Sequence, residues 1–336
     1  MIQEALAALV EGRSLTREQA ASVMHELMSG EATPAQAGAF LVALRMKGET
    51  VEEIAGLAAA MREKAEPVRT PHPVVDTCGT GGDGHGTLNI STAAALVAVG
   101  AGVKVAKHGN RGMTSRSGSA DVLEALGYRI DLDPAAVARS IEEAGFGFMF
   151  AQRYHPAMRH VAPVRRELAV RTVFNLLGPL TNPARPAAQV IGVPDVAVAE
   201  KIAAALRLLG CRFGLVVSGP DGLDEIGLHG PTVLFTVRPE GITRQVFEPG
   251  MVGLRDAPLA AIAGGDPQEN AQMIRDIFAG MPGPRRDVVI LNAAAALYVS
   301  GRASSLAEGV ALAEETVRSG RAREALARAV AVSQAA

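Results

Sequence analysis

The chain has 336 residues, 48% hydrophobic and 20% charged, with a net charge of −2. That length supports one large or two ordinary domains, and the charge balance excludes a general attraction to nucleic acid or anionic membrane, so any anion site has to come from local clustering. Cys78 and Cys211 are the only cysteines and tryptophan is absent, which excludes a disulfide scaffold and an aromatic platform for single-stranded nucleic acid.

Residues 1–10 carry Glu4 and no basic segment, so no secretory signal is expected. The longest apolar runs, such as 93–103, fall short of the roughly 20 residues that span a bilayer. A reducing cytoplasm is the expected location. The first 65 or so residues read as helices with marked ends. Thr16 and Gln19 have capping-box spacing, and Gly30 follows the helix they begin. Thr33-Pro34 offers a cap followed by proline at the first helical position, with Gly48 as the stop. Thr50 and Glu53 repeat the box before a helix to about Lys64.

Pro67 to Pro73 reads as a linker with three prolines, and the texture then changes. Short β-type runs at 74–75 and 103–106 alternate with alanine-rich helical stretches at 91–100 and 119–127. Further strands are expected at 189–193, 213–217 and 232–237, and 242–248 could close a hairpin after Gly241. The alanine-rich segment 303–330 has helix-forming composition. Alternation of this kind predicts an α/β sheet flanked by helices.

Residues 76–92 hold five glycines, at 79, 81, 82, 84 and 86, directly after a strand and before a helix starting near Ser91. Glycine permits left-handed backbone and close approach of amides to a ligand. Amides backed by a helix N-terminus suit a pyrophosphate, and Asn89, Ser91 and Thr92 add side-chain donors. The spacing fits neither the Walker pattern nor the dinucleotide fingerprint.

Residues 101–120 contain Lys104, Lys107, Arg111 and Arg116 and no acid. They follow a strand, where α/β sheets bind ligands, and their glycines, amides and hydroxyls favour an anion site over a plain solvated loop. Residues 151–171 hold five arginines, two histidines and one acid. An arginine here suits a substrate carboxylate; Arg153, Arg159 and Arg171 read as surface or capping residues, and His155 and His160 as structural. Asp224 and Glu225 are adjacent, so both serve one cation only from irregular backbone, which Gly222 and Gly227 permit. With a pyrophosphate substrate such a pair suits Mg²⁺, although alone the segment reads more simply as a turn with two exposed acids.

Five stretches together resemble the anthranilate phosphoribosyltransferase family: DTCGTGGDG…NIST from Asp76, VAKHGNR…GSADVLEALG from Val105, HPAMRHVAPVRREL…RTVFNLLGPLTNP from His155, DGLDE from Asp221 and LNAAAALYV from Leu291. The resemblance implies a small N-terminal helical domain, residues 1–66 joined by helices from about 165–185, and a larger α/β domain, 74–336, with a central mixed, mostly parallel sheet. It implies that Gly79, Gly82, Asp83, Thr87, Asn89, Ile90, Ser91 and Thr92, with Lys107, Arg111, Thr114, Ser115 and Ser119, hold phosphoribosyl pyrophosphate. Gly79, His108, Asn110 and Arg165 would hold anthranilate, and Ser91, Asp224 and Glu225 would bind Mg²⁺. A homodimer through the helical domain is also implied. No nucleic acid or membrane partner is expected. The departures are Gly112-Met113-Thr114, where a small residue and Ser are commoner, Ala169, where Gly is usual, and Ile226 to His229, where a hydroxyl residue is common.

The implied reaction moves the phosphoribosyl group to the amine of anthranilate with release of pyrophosphate. It needs no strong general base; His108 is the candidate proton acceptor, and Cys78 is not expected to act as a nucleophile. A pyrimidine nucleoside phosphorylase is the nearest alternative, but that family reads Ser-Gly-Arg after Lys-His, where Gly109-Asn110-Arg111 stands here. A non-catalytic relative that binds nucleic acid would lose loop glycines or acids and gain positive charge.

Overall fold

Three threonines start the second, third and fourth helices of the computed structural model, which describes residues 1–112 and 115–336. Thr16, Thr33 and Thr50 each accept the N–H three residues on, and the side chains of Gln19, Gln36 and Glu53 accept the cap's own N–H. Each box satisfies two donors that a helix end leaves unpaired. The helices are α1 (Ile2–Val10), α2 (Arg17–Ser29), α3 (Pro34–Lys47) and α4 (Val51–Lys64). Val161, Val164, Val173, Phe174, Leu177 and Leu180 share one core with them.

After the proline-rich linker come β1 (Val75–Gly79), α5 (Ile90–Gly100), β2 (Val105–Gly109), α6 (Ser119–Ala125), α7 (Pro134–Ala144) and β3 (Phe146–Phe150). Short helices α8 (Ala151–Tyr154), α9 (Ala162–Leu168) and α10 (Phe174–Leu177) lead to β4 (Ala188–Gly192), α11 (Val196–Leu208) and β5 (Phe213–Ser218). The hairpin β6 (Thr232–Arg238) and β7 (Gly241–Phe247) follows, then α12 (Pro267–Phe278), α13 (Pro284–Val299), α14 (Leu306–Arg318) and α15 (Arg321–Gln334). The expected 303–330 helical segment is thus two helices, separated at Gly320, whose φ of 82° is left-handed.

The seven strands lie in the order β3-β2-β1-β4-β5-β6-β7. The first five are parallel, and β6 and β7 add antiparallel pairs with Arg238 opposite Gly241. Side-chain alternation divides the core between two faces. Val190, Leu215 and Val217 face α5 and α13; Ile191 and Val216 face α11 and the helical bundle. The chain leaves β1 for β2 and β3 on one side and returns to β4 on the other. The carboxyl ends of β1 and β4 therefore form the topological switch point, where α/β sheets open a crevice for ligands.

Candidate active site

The glycine loop leaves β1 at that switch point, and the acidic loop after β5 folds over it. A Cβ on Gly79 would collide with Asp224 Oδ2, and one on Gly192, the last residue of β4, would collide with the Asp224 carbonyl oxygen. Only glycine at both strand ends lets the acidic loop approach this closely. The loop is irregular, as two acids on one site require: Asp221 and Gly222 have φ of 55° and 78°. Asn292 of α13 pins it, its Oδ1 accepting the Ile226 N–H at 3.0 Å and its amide donating to the Ile226 carbonyl at 3.0 Å.

The two carboxylates accept bonds from the very amides that the sequence assigns to phosphate. Gly81 N–H donates to Asp224 Oδ2 at 2.8 Å, and Ser91 N–H, at the start of α5, donates to Glu225 Oε1 at 3.0 Å. Asn89 makes no side-chain cap on α5, so Glu225 does that work from a distant loop. Burial, then the charge of Asp83, pushes Asp224 up to about 7. Burial, then Asp224, pushes Glu225 up to about 8. Each carboxylate is thus held up by burial and by the negative charge of its neighbour. Among the described residues no three His, Cys, Asp or Glu side chains are grouped so that they could hold a metal ion.

Lys107 lies beneath the loop and is only 1% exposed. Its ammonium donates to the Thr77 carbonyl and, at 3.2 Å, to Ser91 Oγ, while Thr77 Oγ1 donates to the Ser91 carbonyl at 3.0 Å. Lys107 thus braces the start of α5 from below. Asp76 is fully buried beside it, with its pKa raised by burial, and accepts from Asn182 at 2.8 Å.

The basic loop after β2 is held from two sides. Asn89 Nδ2 donates to the Ser117 carbonyl at 3.0 Å, and Asn89 Oδ1 accepts from Ser117 Oγ and Asn270 Nδ2. Asp121 Oδ2 accepts both the Gly112 and the Gly118 N–H at 2.9 Å. Arg111 turns away to ion-pair with Asp121 and Glu124 on α6. Ser119 Oγ donates to the Asn110 carbonyl at 3.3 Å, and Ser115 is exposed. Ile90 sits in the core, so only its backbone can serve a ligand, and Thr87 forms a bridge to Ala263. Thr92 Oγ1 is buried with no partner among the described residues. Thr114, with Met113, lies outside the described residues.

His108 ends up against a residue read from sequence as structural. Its ring centroid lies 5.0 Å from that of His155. His108 Nε2 and both His155 ring nitrogens have no hydrogen-bond partner among the described residues. Burial lowers His108 to about 3 and His155 to about 4, so both are neutral imidazoles. Arg165, on α9, lies over the Phe174 ring at 5.0 Å; among the described residues it makes no ion pair and no polar side-chain contact with the loops. Arg171, read from sequence as a surface or capping residue, also reaches the glycine loop. It is exposed, yet its guanidinium donates to the Gly82 carbonyl at 3.2 Å and the Gly81 carbonyl at 3.3 Å. A run of five arginines gives no spacing by which to single it out.

Comparison with known proteins follows the same lines. Residues 71–323 match the family model described as the glycosyl transferase family a/b domain, and residues 3–65 match its helical bundle domain. The anthranilate phosphoribosyltransferase of Chloroflexus aurantiacus is 58% identical over 335 residues, covering 99% of each chain. The crystal structure of the Thermus thermophilus anthranilate phosphoribosyltransferase superposes with a TM-score of 0.93 at 51% identity, covering 98% of this chain and 99% of that one. The Saccharomyces cerevisiae enzyme in complex with PRPP and Mg gives a TM-score of 0.92 at 29% identity, covering 100% and 98%; it has also been crystallised with 4-fluoroanthranilate.

Proposed function

The chain belongs to the anthranilate phosphoribosyltransferase family, and from that premise we propose that it transfers the phosphoribosyl group of phosphoribosyl pyrophosphate to the amine of anthranilate, a step of tryptophan biosynthesis. The observation that carries the reading is the meeting of the glycine loop with Asp224 and Glu225 at the switch point of the sheet. Loop amides that already hold carboxylates are built for anions, and adjacent acids supply the place for a divalent cation.

In this reading the C1–O bond to pyrophosphate breaks as the amine nitrogen bonds to C1, and the amine then loses a proton. The aromatic amine is a weak nucleophile, so activation falls on the ribosyl centre. The amides of the glycine loop and the first turn of α5 stabilise the charge growing on the leaving group. Asp224 and Glu225, with Ser91, would hold Mg²⁺, which neutralises pyrophosphate when bound. Arg165 grips the anthranilate carboxylate: a half-buried guanidinium with no acid partner supports that role. Asn110 and Gly79 line the same substrate, and Lys107 holds the frame. His108, neutral and partnerless at Nε2, accepts the amine proton; a weak base suffices because an N-alkylated anilinium is a strong acid.

The finer assembly also belongs to this reading. Residues 1–66 with 165–185 form the helical unit and 74–336 the α/β unit. Val10 of α1 and Met46 of α3 are 77% and 83% exposed, apolar side chains available to the homodimer through the helical domain that the resemblance implies. Among the described residues no helix is long and apolar enough to cross a membrane; a cytoplasmic enzyme acting on small molecules fits that and the net charge of −2.

The test is a decay of anthranilate fluorescence that requires the protein, phosphoribosyl pyrophosphate and Mg²⁺ together. No decay with folded protein overturns the proposal. With activity in hand, Arg165→Ala should raise the KM for anthranilate roughly 10- to 100-fold, the worth of a charge-assisted hydrogen bond, and leave that for phosphoribosyl pyrophosphate nearly unchanged. An unchanged anthranilate KM removes Arg165 from the site.

A further inference from the structure

A second basic site lies at the other end of the sheet. A cavity of about 400 Å³ opens between the helical bundle and the amino ends of β4 and β5. Arg17 of α2 and Arg62 of α4 line it from one side, and Arg185, Gln189 and Arg212 from the other. The crevice described above is at the carboxyl ends of the same strands, about 17 Å away for a five-residue strand.

The charges here are unbalanced. Of the lining residues Glu63 alone is acidic, and its carboxylate is engaged by His25 at 3.2 Å. None of the four arginines is ion-paired among the described residues. Arg62 is fixed by neutral acceptors, donating to the Leu180 carbonyl at 2.5 Å and the Leu209 carbonyl at 3.3 Å. Those bonds hold the guanidinium without neutralising it, and burial, then the charge of Arg185, lowers it to about 10. Arg185 is itself unusual. Its φ is 47°, left-handed, and it precedes Pro186, a place where side chains avoid helical backbone. A tight turn closed by Arg185 N–H to the Asn182 carbonyl at 3.0 Å sets it there. Four guanidinium groups are thus brought around one cavity, from α2, α4, the Arg185 turn and the start of β5, against the single acid Glu63.

We propose that this cavity binds a phosphate dianion, free or as the monoester of a small metabolite, between the helical bundle and the sheet. Four guanidinium groups against one carboxylate leave a formal charge of +3, more than a monocarboxylate offsets. Planar guanidinium forks match the oxygen edges of phosphate. The volume exceeds that of inorganic phosphate and falls within the size of small-molecule pockets. An occupant would touch both helical and sheet elements and so tie them together.

The experiment uses the full chain saturated with phosphoribosyl pyrophosphate and Mg²⁺, so that the crevice is filled. Calorimetric titration and thermal unfolding then read the binding of inorganic phosphate and, separately, of glycerol 3-phosphate. We expect one further site with a Kd on the order of 1 mM or tighter, and a Tm that rises with ligand concentration. Tighter binding of inorganic phosphate assigns a free-anion site; tighter binding of the ester assigns a metabolite site. Arg185→Ala with Arg212→Ala, both exposed and therefore tolerated, should weaken that site at least tenfold while the KM values in phosphate-free buffer stay unchanged. Arg17→Ala gives an independent check from the helical side. Equal affinity in the double variant, or no binding to the loaded wild type, overturns the proposal.

Discussion

Ala169 ends α9 with a φ of 51°, a left-handed conformation in which its methyl group crowds the backbone. The family resemblance marks this position as one where glycine is usual, and the helix end gives the reason. Ala169→Gly should stabilise the protein by about 1 kcal/mol, the lower end of the cost of a non-glycine residue there. A higher urea midpoint at unchanged slope would show it; a lower midpoint would mean that the backbone is not strained. Arg171 is the other residue whose role emerges only in three dimensions. Arg171→Ala frees the carbonyls of Gly81 and Gly82, so the KM for phosphoribosyl pyrophosphate should rise roughly 3- to 10-fold, a discounted value for hydrogen bonds exposed to water. Arg171→Lys should recover part of the loss, and the anthranilate KM should barely move. Equal changes in both KM values would mean that the residue supports the fold generally. Residue types near the loops were readable in sequence, but which arginine reaches the glycine loop depends on the segment between α9 and α10 meeting the loop after β1, and no local pattern encodes that.

Helix starts were the most legible elements, because a capping box is complete within four residues. Even there the fold adds a duty. Glu53 closes the box of α4 and is also fully buried, accepting Leu15 N–H at 2.9 Å and the Lys47 ammonium at 2.9 Å. Glu53→Ala should therefore cost about 3 kcal/mol or more, as for a broken buried ion pair, well beyond the ~1 kcal/mol of a lost cap. Urea unfolding decides between the two figures. Strand β3 was not legible. Phe-Gly-Phe-Met-Phe follows the left-handed Gly145 but lacks apolar–polar alternation, and it pairs with β2 residue by residue, Val105 with Phe146 through Gly109 with Phe150. The LNAAAALYV stretch was readable as a resemblance; that Asn292 fastens the acidic loop was not, since the bond joins residues 66 apart.

For the molecule as a whole, alternating strands and helices announced an α/β fold, while strand order and the switch point depend on long-range packing. Stability should carry the mark of the buried histidine pair. An unfolded histidine titrates near 6.5, whereas the folded values of His108 and His155 are lowered to about 3 and about 4. The folded state therefore resists protonation, and its advantage, complete above 6.5, is lost as pH falls toward those lower values. At pH 5 each histidine should remove about 2 kcal/mol of stability relative to pH 8. Urea midpoints across that range should fall, and His108→Asn with His155→Asn should flatten the slope; an unchanged slope would place the acid sensitivity elsewhere. The bonds from Gly81 to Asp224 and from Ser91 to Glu225 reach further still. A polyphosphate that takes those amides has to displace two carboxylates, and a dication that takes the carboxylates sets the amides free. In the proposed reading substrate capture is then an exchange of partners, and the factor by which Mg²⁺ tightens phosphoribosyl pyrophosphate should equal the factor by which phosphoribosyl pyrophosphate tightens Mg²⁺.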